Sequence, residues 1–389
     1  VGREVVVTVG APLRGGGFAC LVDGRRAVVR HALPGEVVRA VVTNEEPLRL
    51  DALEVIEASP DRVEVPCEYA KPGRCGGCDW QHASYDAQLR LKSSIVSELL
   101  GRDVTVEAVG EPLRWRTRVR FAVDDGRVGL RRHRSNEVEP VDACLIASEG
   151  VESVGAERLS WPVASHVEVV AGSSGDRLVV VTPRRRGARV GADVEGVSVM
   201  RGDEQVRGRP GVREVAAGRT WWVSGSGFWQ SHVRAPEVLC DAVLDALAPG
   251  DLALDLYAGA GLFAGALAPH VSRVVAIESS ATACKDARQN LRDLRHVEVH
   301  EGTVENVLAR LGLGHVDVVV LDPPRDGAGA AVMAQIEALS PRRVAYVSCD
   351  PASLARDLRA TSYRMTGVRA FDLFPMTWHV ECVAVLEPA

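Results

Sequence analysis

Apolar positions follow three different rhythms along the 389-residue chain. Through about residue 60 they form short β-branched runs (EVVVTV, GFACLV, RAVVRHAL, EVVRAVV), broken by Gly15-Gly16-Gly17, Asp23-Gly24 and Pro34-Gly35. Asp-Gly between apolar runs signals a hairpin, and closely spaced short strands predict a small OB-like β-barrel over residues 1–60. Residues 61–226 open with clustered cysteines and continue as strands and Gly-rich turns. From 227 to 389, apolar strands (LALDLY, VVAIE, VDVVVLD, RVAYVS) alternate with helix-like segments (CKDARQNLRDL, AAVMAQIEAL, PASLARDLRAT). Continuous apolar strands separated by helices predict a doubly wound parallel sheet. The helical pattern of SYDAQLRLKSSIVSELL places residues 81–111 against this C-terminal domain.

Composition narrows the class. Apolar residues make up 46% and charged residues 25%, as in a globular enzyme rather than a disordered chain. No apolar run reaches the roughly 18 residues of a membrane span. The opening VGREVVVTVG lacks a signal-peptide layout, so the expected address is the cytoplasm. Nine cysteines, an odd number in a long chain, point to thiols, metal ligation or catalysis rather than a disulfide scaffold. The net charge of −6 argues against indiscriminate nucleic-acid binding but leaves room for a local basic face.

Chemistry concentrates at the predicted strand ends. LALDLYAGAGLF sets Asp255 and Tyr257 before a loop with Gly259 and Gly261, at the edge where open α/β sheets bind cofactors. The next strand ends in Glu278, placed to accept both hydroxyls of a ribose. This suits NAD or S-adenosylmethionine. Asp322-Pro323-Pro324-Arg325 and Ser348-Cys349-Asp350-Pro351 end the following strands and favour the methyl donor. A thiolate at Cys349 adding to carbon 6 of uracil would make the ring an enolate, whose carbon 5 can attack an electrophilic methyl group. A base must then take the carbon-5 proton; Glu381 in FPMTWHVECV offers itself, with His379 as a rival.

DLYAGAGLF, DPPR, VSCDP and FPMTWHVE together resemble the S-adenosylmethionine-dependent RNA uracil-5-methyltransferase family. The resemblance implies a Rossmann-like class I methyltransferase domain. It assigns the nucleophile to Cys349, the base to Glu381, and cofactor contacts to Gln230, Tyr257, Glu278 and Asp322. Leu262 stands where many members carry Asn, which removes a polar contact.

The second constellation is Cys67, Cys75 and Cys78, with seven and two residues between them, and Cys144 at a distance. Four thiolates can hold zinc or a [4Fe-4S] cluster, and spacing does not separate the two. Cys-Gly-Gly-Cys followed by Trp-Gln-His resembles the 23S ribosomal-RNA branch of the family, which implies [4Fe-4S] and favours rRNA over tRNA as partner. The gap between Cys67 and Cys75 is longer than that branch leads one to expect. In LRWRTRVRF, Arg114, Arg116, Arg118 and Arg120 alternate with other residues, so a strand would align four guanidinium groups on one RNA-facing side. The N-terminal barrel then resembles the RNA-binding TRAM module. The expectation is a three-part α/β enzyme acting on RNA, with no membrane and no obligate protein partner.

Overall fold

The computed structural model describes residues 1–185, 194–247 and 250–389. The first five strands, Glu4–Thr8, Phe18–Val22, Arg25–Arg30, Val37–Glu45 and Leu48–Glu57, form one sheet in the order first, fourth, fifth, third, second. The chain beyond the first strand bonds back to the second, Gly10 N to Ala19 O at 2.7 Å and Ala19 N to Ala11 O at 2.9 Å, so the two ends of the sheet meet. Alternation drives this closure. Phe18, Cys20 and Val22 point into the same core as Val38, Ala40 and Val42. Trp80, fully buried, fills that core from outside the sheet and donates its indole N–H to Gly16 O at 3.0 Å.

A seven-stranded sheet follows. Its order places Arg118–Asp124 between Ala164–Ala171 and Arg127–Arg131, and Val138–Pro140 lies at one edge. The hairpin of Gly211–Ala216 and Arg219–Ser224 then leads to the last part of the chain, where Trp222 N donates to Asn290 Oδ1 at 2.7 Å.

The eight-stranded sheet carries the site. Its order is Val297–Glu301, Arg273–Glu278, Leu252–Leu256, Val318–Leu321, Arg343–Ser348, Glu381–Glu387, Arg364–Asp372 and Val106–Ala108. The first five are mutually parallel, and Glu381–Glu387 runs antiparallel to both of its neighbours. Strand order reverses on either side of Leu252–Leu256, which makes a crevice at the carboxyl edge. Runs such as Val318, Val319, Val320 and Leu321 are wholly buried because helices cover both faces.

Helix Tyr85–Leu100 ties the N-terminal sheet to this one. Ser84 caps it by accepting from Ala87 N, and Gly101 ends it in the left-handed conformation. Its Ala87 and Ile95 enter the N-terminal core, whereas Val96 enters the core of the large sheet. Lys92 on the same helix is fully buried, its Nζ 2.6 Å from Asp372 Oδ1 and 3.1 Å from Phe374 O. Burial pulls the ammonium group down and the Asp372 carboxylate holds it up. Among the described residues, no helix is long and apolar enough to cross a membrane.

Removing one partner of such a pair strands a buried charge. Lys92→Met is expected to lower stability by about 3–5 kcal/mol, read from the midpoint of chemical unfolding. A loss under about 1 kcal/mol would show that water reaches Asp372.

Candidate active site at the carboxyl edge of the large sheet

Leu252–Leu256 delivers Asp255 into a fully buried position, where Oδ2 accepts from Ala264 N at 2.7 Å. Its Oδ1 has no partner, and burial pushes the carboxyl up to about 8. The turn that follows needs left-handed backbone at Tyr257 (φ 64°), Gly259 (φ 55°) and Gly261 (φ 92°). At Gly261 a Cβ would lie 2.7 Å from Leu291 Cδ1, so packing as well as φ demands glycine. At Gly259 a Cβ would meet nothing within 4 Å, which leaves the space over the loop open. Glu278, ending the next strand, accepts from Gly259 N at 2.9 Å and Ser280 N at 2.7 Å. Gln230 Nε2 donates to Asp322 Oδ2 at 3.3 Å, and burial pushes Asp322 up to about 7. The open loop, the unpartnered Asp255 oxygen and the carboxylate of Glu278 fit a nucleoside-bearing cofactor.

Two strands further along, Ser348 pairs with Cys382 in antiparallel register. The register stops there: Cys349 follows in a bend, and Glu381, which pairs with Phe371 on the other side, acts electrostatically on the Cys349 thiol. Glu381 is 3% exposed and its Oε1 has no partner. Burial, then the Asp322 carboxylate, holds its carboxyl well above the usual range, and Arg325 opposes them. Burial likewise pushes the half-buried Cys349 thiol up to about 12; Glu381 adds to the rise and Arg325 lowers it. Arg325 is thus the cation that favours the charged form of both groups.

Cys349 opens into a polar cavity of about 430 Å³, which Arg14, Arg325, Trp378 and His379 also line. Burial, then Arg325, brings His379 down to about 4, so its imidazole is neutral at pH 7. Its ring lies 4.3 Å from that of Trp378. The loop leading to Glu381 is held from below: Asp79 N and Trp80 N both donate to Met376 O, and Gln88 Oε1 accepts from Met376 N at 2.9 Å.

Cys67, Cys75 and Cys144 pack against the core of the seven-stranded sheet, and Cys78 and Cys144 border Trp115 and Met376. Burial raises the thiols of Cys75, to about 11, and Cys78, and the neighbouring thiols of the set raise both further. Gly77 N donates to Cys75 Sγ at 3.4 Å. All four are free thiols, and among the described residues no group of three or more His, Cys, Asp or Glu side chains is arranged to hold a metal ion.

The arginine run departs from its expected geometry. The strand begins only at Arg118, and Arg114 sits at φ 57°, outside any extended run. Arg114 pairs with Glu152 instead, and Arg116 Nε donates to Arg118 O. Arg118 is drawn inward to Gly227 O and lies 3.5 Å from Glu168. Residues 114–116 pair with the chain at 145–147, and that contact overrides the two-residue alternation. Arg114 stays exposed, and Arg120 points outward into a cavity shared with Arg131, Arg132, Arg134 and His166. Arg14 and Lys92 gave no sequence signal, since nothing in a lone Arg or a helical Lys reveals a partner more than 250 residues away.

A family model described as "Conserved hypothetical protein 95" matches residues 241–365. An uncharacterized RNA methyltransferase of Streptomyces coelicolor is 51% identical, covering 100% of this chain and 94% of its own length. One from Thermotoga maritima is 30% identical over 96% of each chain. The crystal structure of Pyrococcus abyssi tRNA (uracil-54, C5)-methyltransferase with S-adenosyl-L-homocysteine shares the fold, with a TM-score of 0.78 and 22% identity, covering 98% of this chain and 99% of that one. With identity of this extent across its full length, the chain belongs to the RNA methyltransferase family of its Streptomyces and Thermotoga relatives.

Proposed function

We propose that this protein transfers a methyl group from S-adenosylmethionine to carbon 5 of a uridine in RNA. The observation that carries the reading is that the buried Glu381 carboxyl and the Cys349 thiol it acts on lie at the adjoining ends of two paired strands. Carbon-5 methylation needs that pair, a nucleophile and a base fixed relative to one ring. The solved Pyrococcus neighbour is named as a uracil C5 enzyme, which supports the same chemistry.

Cys349 loses its proton to solvent and its sulfur bonds carbon 6, moving the ring's π electrons to the carbonyl oxygen at carbon 4. S-adenosylmethionine, when bound, supplies the electrophilic methyl group that carbon 5 takes. Gln230, Tyr257, Gly259, Gly261, Glu278 and Asp322 hold that donor along the open loop. Glu381, once it has given its own proton to solvent, accepts the carbon-5 proton as a carboxylate; burial beside Asp322 raises its proton affinity and Arg325 favours the ionised form. The electron pair of the broken C–H bond restores the double bond and expels the Cys349 thiolate. The uridine reaches Cys349 unstacked from its neighbours.

We assign residues 1–60 to a TRAM-like RNA-binding module, 61–226 to a central domain and 227–389 to the methyltransferase domain. The strand Val106–Ala108, bonded to Arg364–Asp372, supports counting 81–111 with the last. Cys67, Cys75, Cys78 and Cys144 would hold a [4Fe-4S] cluster; the Gly77 N–H aimed at sulfur and the mutual influence of the thiols support this, although the four are not gathered into a ligand set here. The cluster would order the RNA face and take no part in methyl transfer. Of the arginine run, the exposed Arg114 and Arg120 are assigned to RNA contact, and the inward-turned Arg118 is not. By its cysteine pattern the substrate is 23S rRNA; the Pyrococcus neighbour favours tRNA as a second reading.

Labelled methyl transfer to RNA lacking the modification, followed by nucleoside analysis, tests the reaction. The expected product is 5-methyluridine from wild type and none from Cys349→Ala. Glu381→Gln is expected to slow turnover by about 10²–10⁴-fold and to accumulate a covalent protein–RNA adduct. Label in another nucleoside, or equal transfer by Cys349→Ala, would sink the mechanism.

The raised thiol predicts how the free enzyme reacts. Below about pH 12 the thiolate fraction grows about tenfold per pH unit, so alkylation of Cys349, followed by peptide mass spectrometry, should climb without levelling off near pH 9. A plateau between pH 6 and 8 would show a thiolate already formed.

Anaerobic purification followed by iron and sulfide analysis is expected to find both in wild type and neither in Cys75→Ser. Zinc without sulfide would replace the cluster with a zinc site.

A further inference from the structure

The cavity beside Cys349 is walled by three guanidinium groups from three parts of the chain. Arg356 lies on helix Pro351–Leu358 and is anchored to Asp357 and to Asp326 O. Arg325 is exposed; its carbonyl accepts from Ser353 Oγ at 2.6 Å, and its guanidinium makes no hydrogen bond or ion pair among the described residues. Arg14 comes from the N-terminal sheet, more than 300 residues away in sequence. Against these stand the carboxylates of Asp326 and Asp350, so the wall carries one net positive charge while His379 is neutral.

Arg14 is held in place from both sides. Its loop closes tightly, Leu13 N to Gly17 O at 2.8 Å and Gly16 N to Leu13 O at 3.2 Å. Gly16 lies flush against the catalytic side: its φ is 80°, and a Cβ there would stand 2.6 Å from Asp79 Cγ. At the tip, the Arg14 guanidinium grips Asp350 with both Nε and Nη2 and lies 5.9 Å from the centre of the Trp378 ring. Asp350 is 6% exposed and is already committed as the cap of its helix through Ala352 N, whereas the Arg14 side chain is 54% exposed. The remaining N–H groups of Arg14 are therefore turned to the cavity and to water.

We propose that this cavity binds the phosphate of the nucleotide whose base enters the Cys349 site, with Arg14 and Arg325 as its guanidinium ligands. The proposal rests on the RNA reading above. A base held at Cys349 carries its phosphate at the length of one ribose, and of the cations that line the cavity Arg356 is already committed to Asp357 and Asp326 O, which leaves Arg14 and Arg325. Guanidinium forks match phosphate oxygens, and Arg325 has donors to spare. The N-terminal module thus contributes a wall of the catalytic pocket and is more than a tether for RNA.

The test is binding of a fluorescent short oligouridylate to the full chain across a salt series, for wild type, Arg14→Ala and Arg14→Lys. Arg14→Ala should bind about 10- to 100-fold more weakly at low salt. The slope of log affinity against log salt should shrink by about 0.7, the value for one phosphate on a single strand. Arg14→Lys should keep the slope, and S-adenosylmethionine binding should be the same in all three. An unchanged slope in Arg14→Ala, equal losses in both variants, or no oligouridylate binding by wild type would overturn the site. The readout needs no methyl transfer, so a wrong assignment of the modified nucleoside would leave it standing, and a lost slope would leave the methylation chemistry untouched.

Discussion

A buried ion pair between Lys92 and Asp372 joins the parts of this molecule that sequence distance separates. The helix bearing Lys92 packs one side into the N-terminal core and the other into the large sheet. Asp372 ends the strand that precedes the loop to Glu381. Two charges without solvent tolerate little displacement, because each ångström of separation leaves a charge unbalanced in a medium that screens it poorly. The pair therefore fixes the helix against the loop, and the loop against the base. Gln88, one helical turn earlier, repeats the connection by bonding Met376.

The same loop receives a second constraint. Asp79 and Trp80, immediately after Cys78, donate to Met376 O, and Trp80 also fills the N-terminal core. Three units thus meet at residues 374–380: the closed N-terminal sheet, the cysteine-bearing segment and the methyltransferase sheet. The proposed site sits where they meet rather than within one of them.

This organisation explains which features the sequence exposed. Apolar runs such as 318–321 and the turn at 257–261 are local, and short-range rules read them directly. Cys349 and Glu381 were legible as motifs, yet their adjoining positions depend on an antiparallel strand entering an otherwise parallel array, which no periodicity announces. The arginine run shows the opposite failure. Its alternation looked like a strand, but pairing with 145–147 and the Glu152 carboxylate claimed Arg114 and Arg116 first. Arg14 and Lys92 stayed invisible because their partners lie in distant sequence. Buried charge pairing is a tertiary event, and composition carries no trace of it.

The inserted strand Glu381–Glu387 has one further effect. Because it is hydrogen-bonded directly to Arg343–Ser348, the strand ends next to Cys349 and at Glu381 are spaced by a backbone ladder rather than by side-chain packing. A slip of one residue would turn Glu381 to the opposite face, so intermediate spacings do not exist. The two strand ends behave as a rigid jaw of fixed gape. Whatever motion admits and releases a macromolecular substrate must then belong to the surrounding walls, and the wall that carries Arg14 comes from a separate sheet, reaching the site through the Arg14–Asp350 pair.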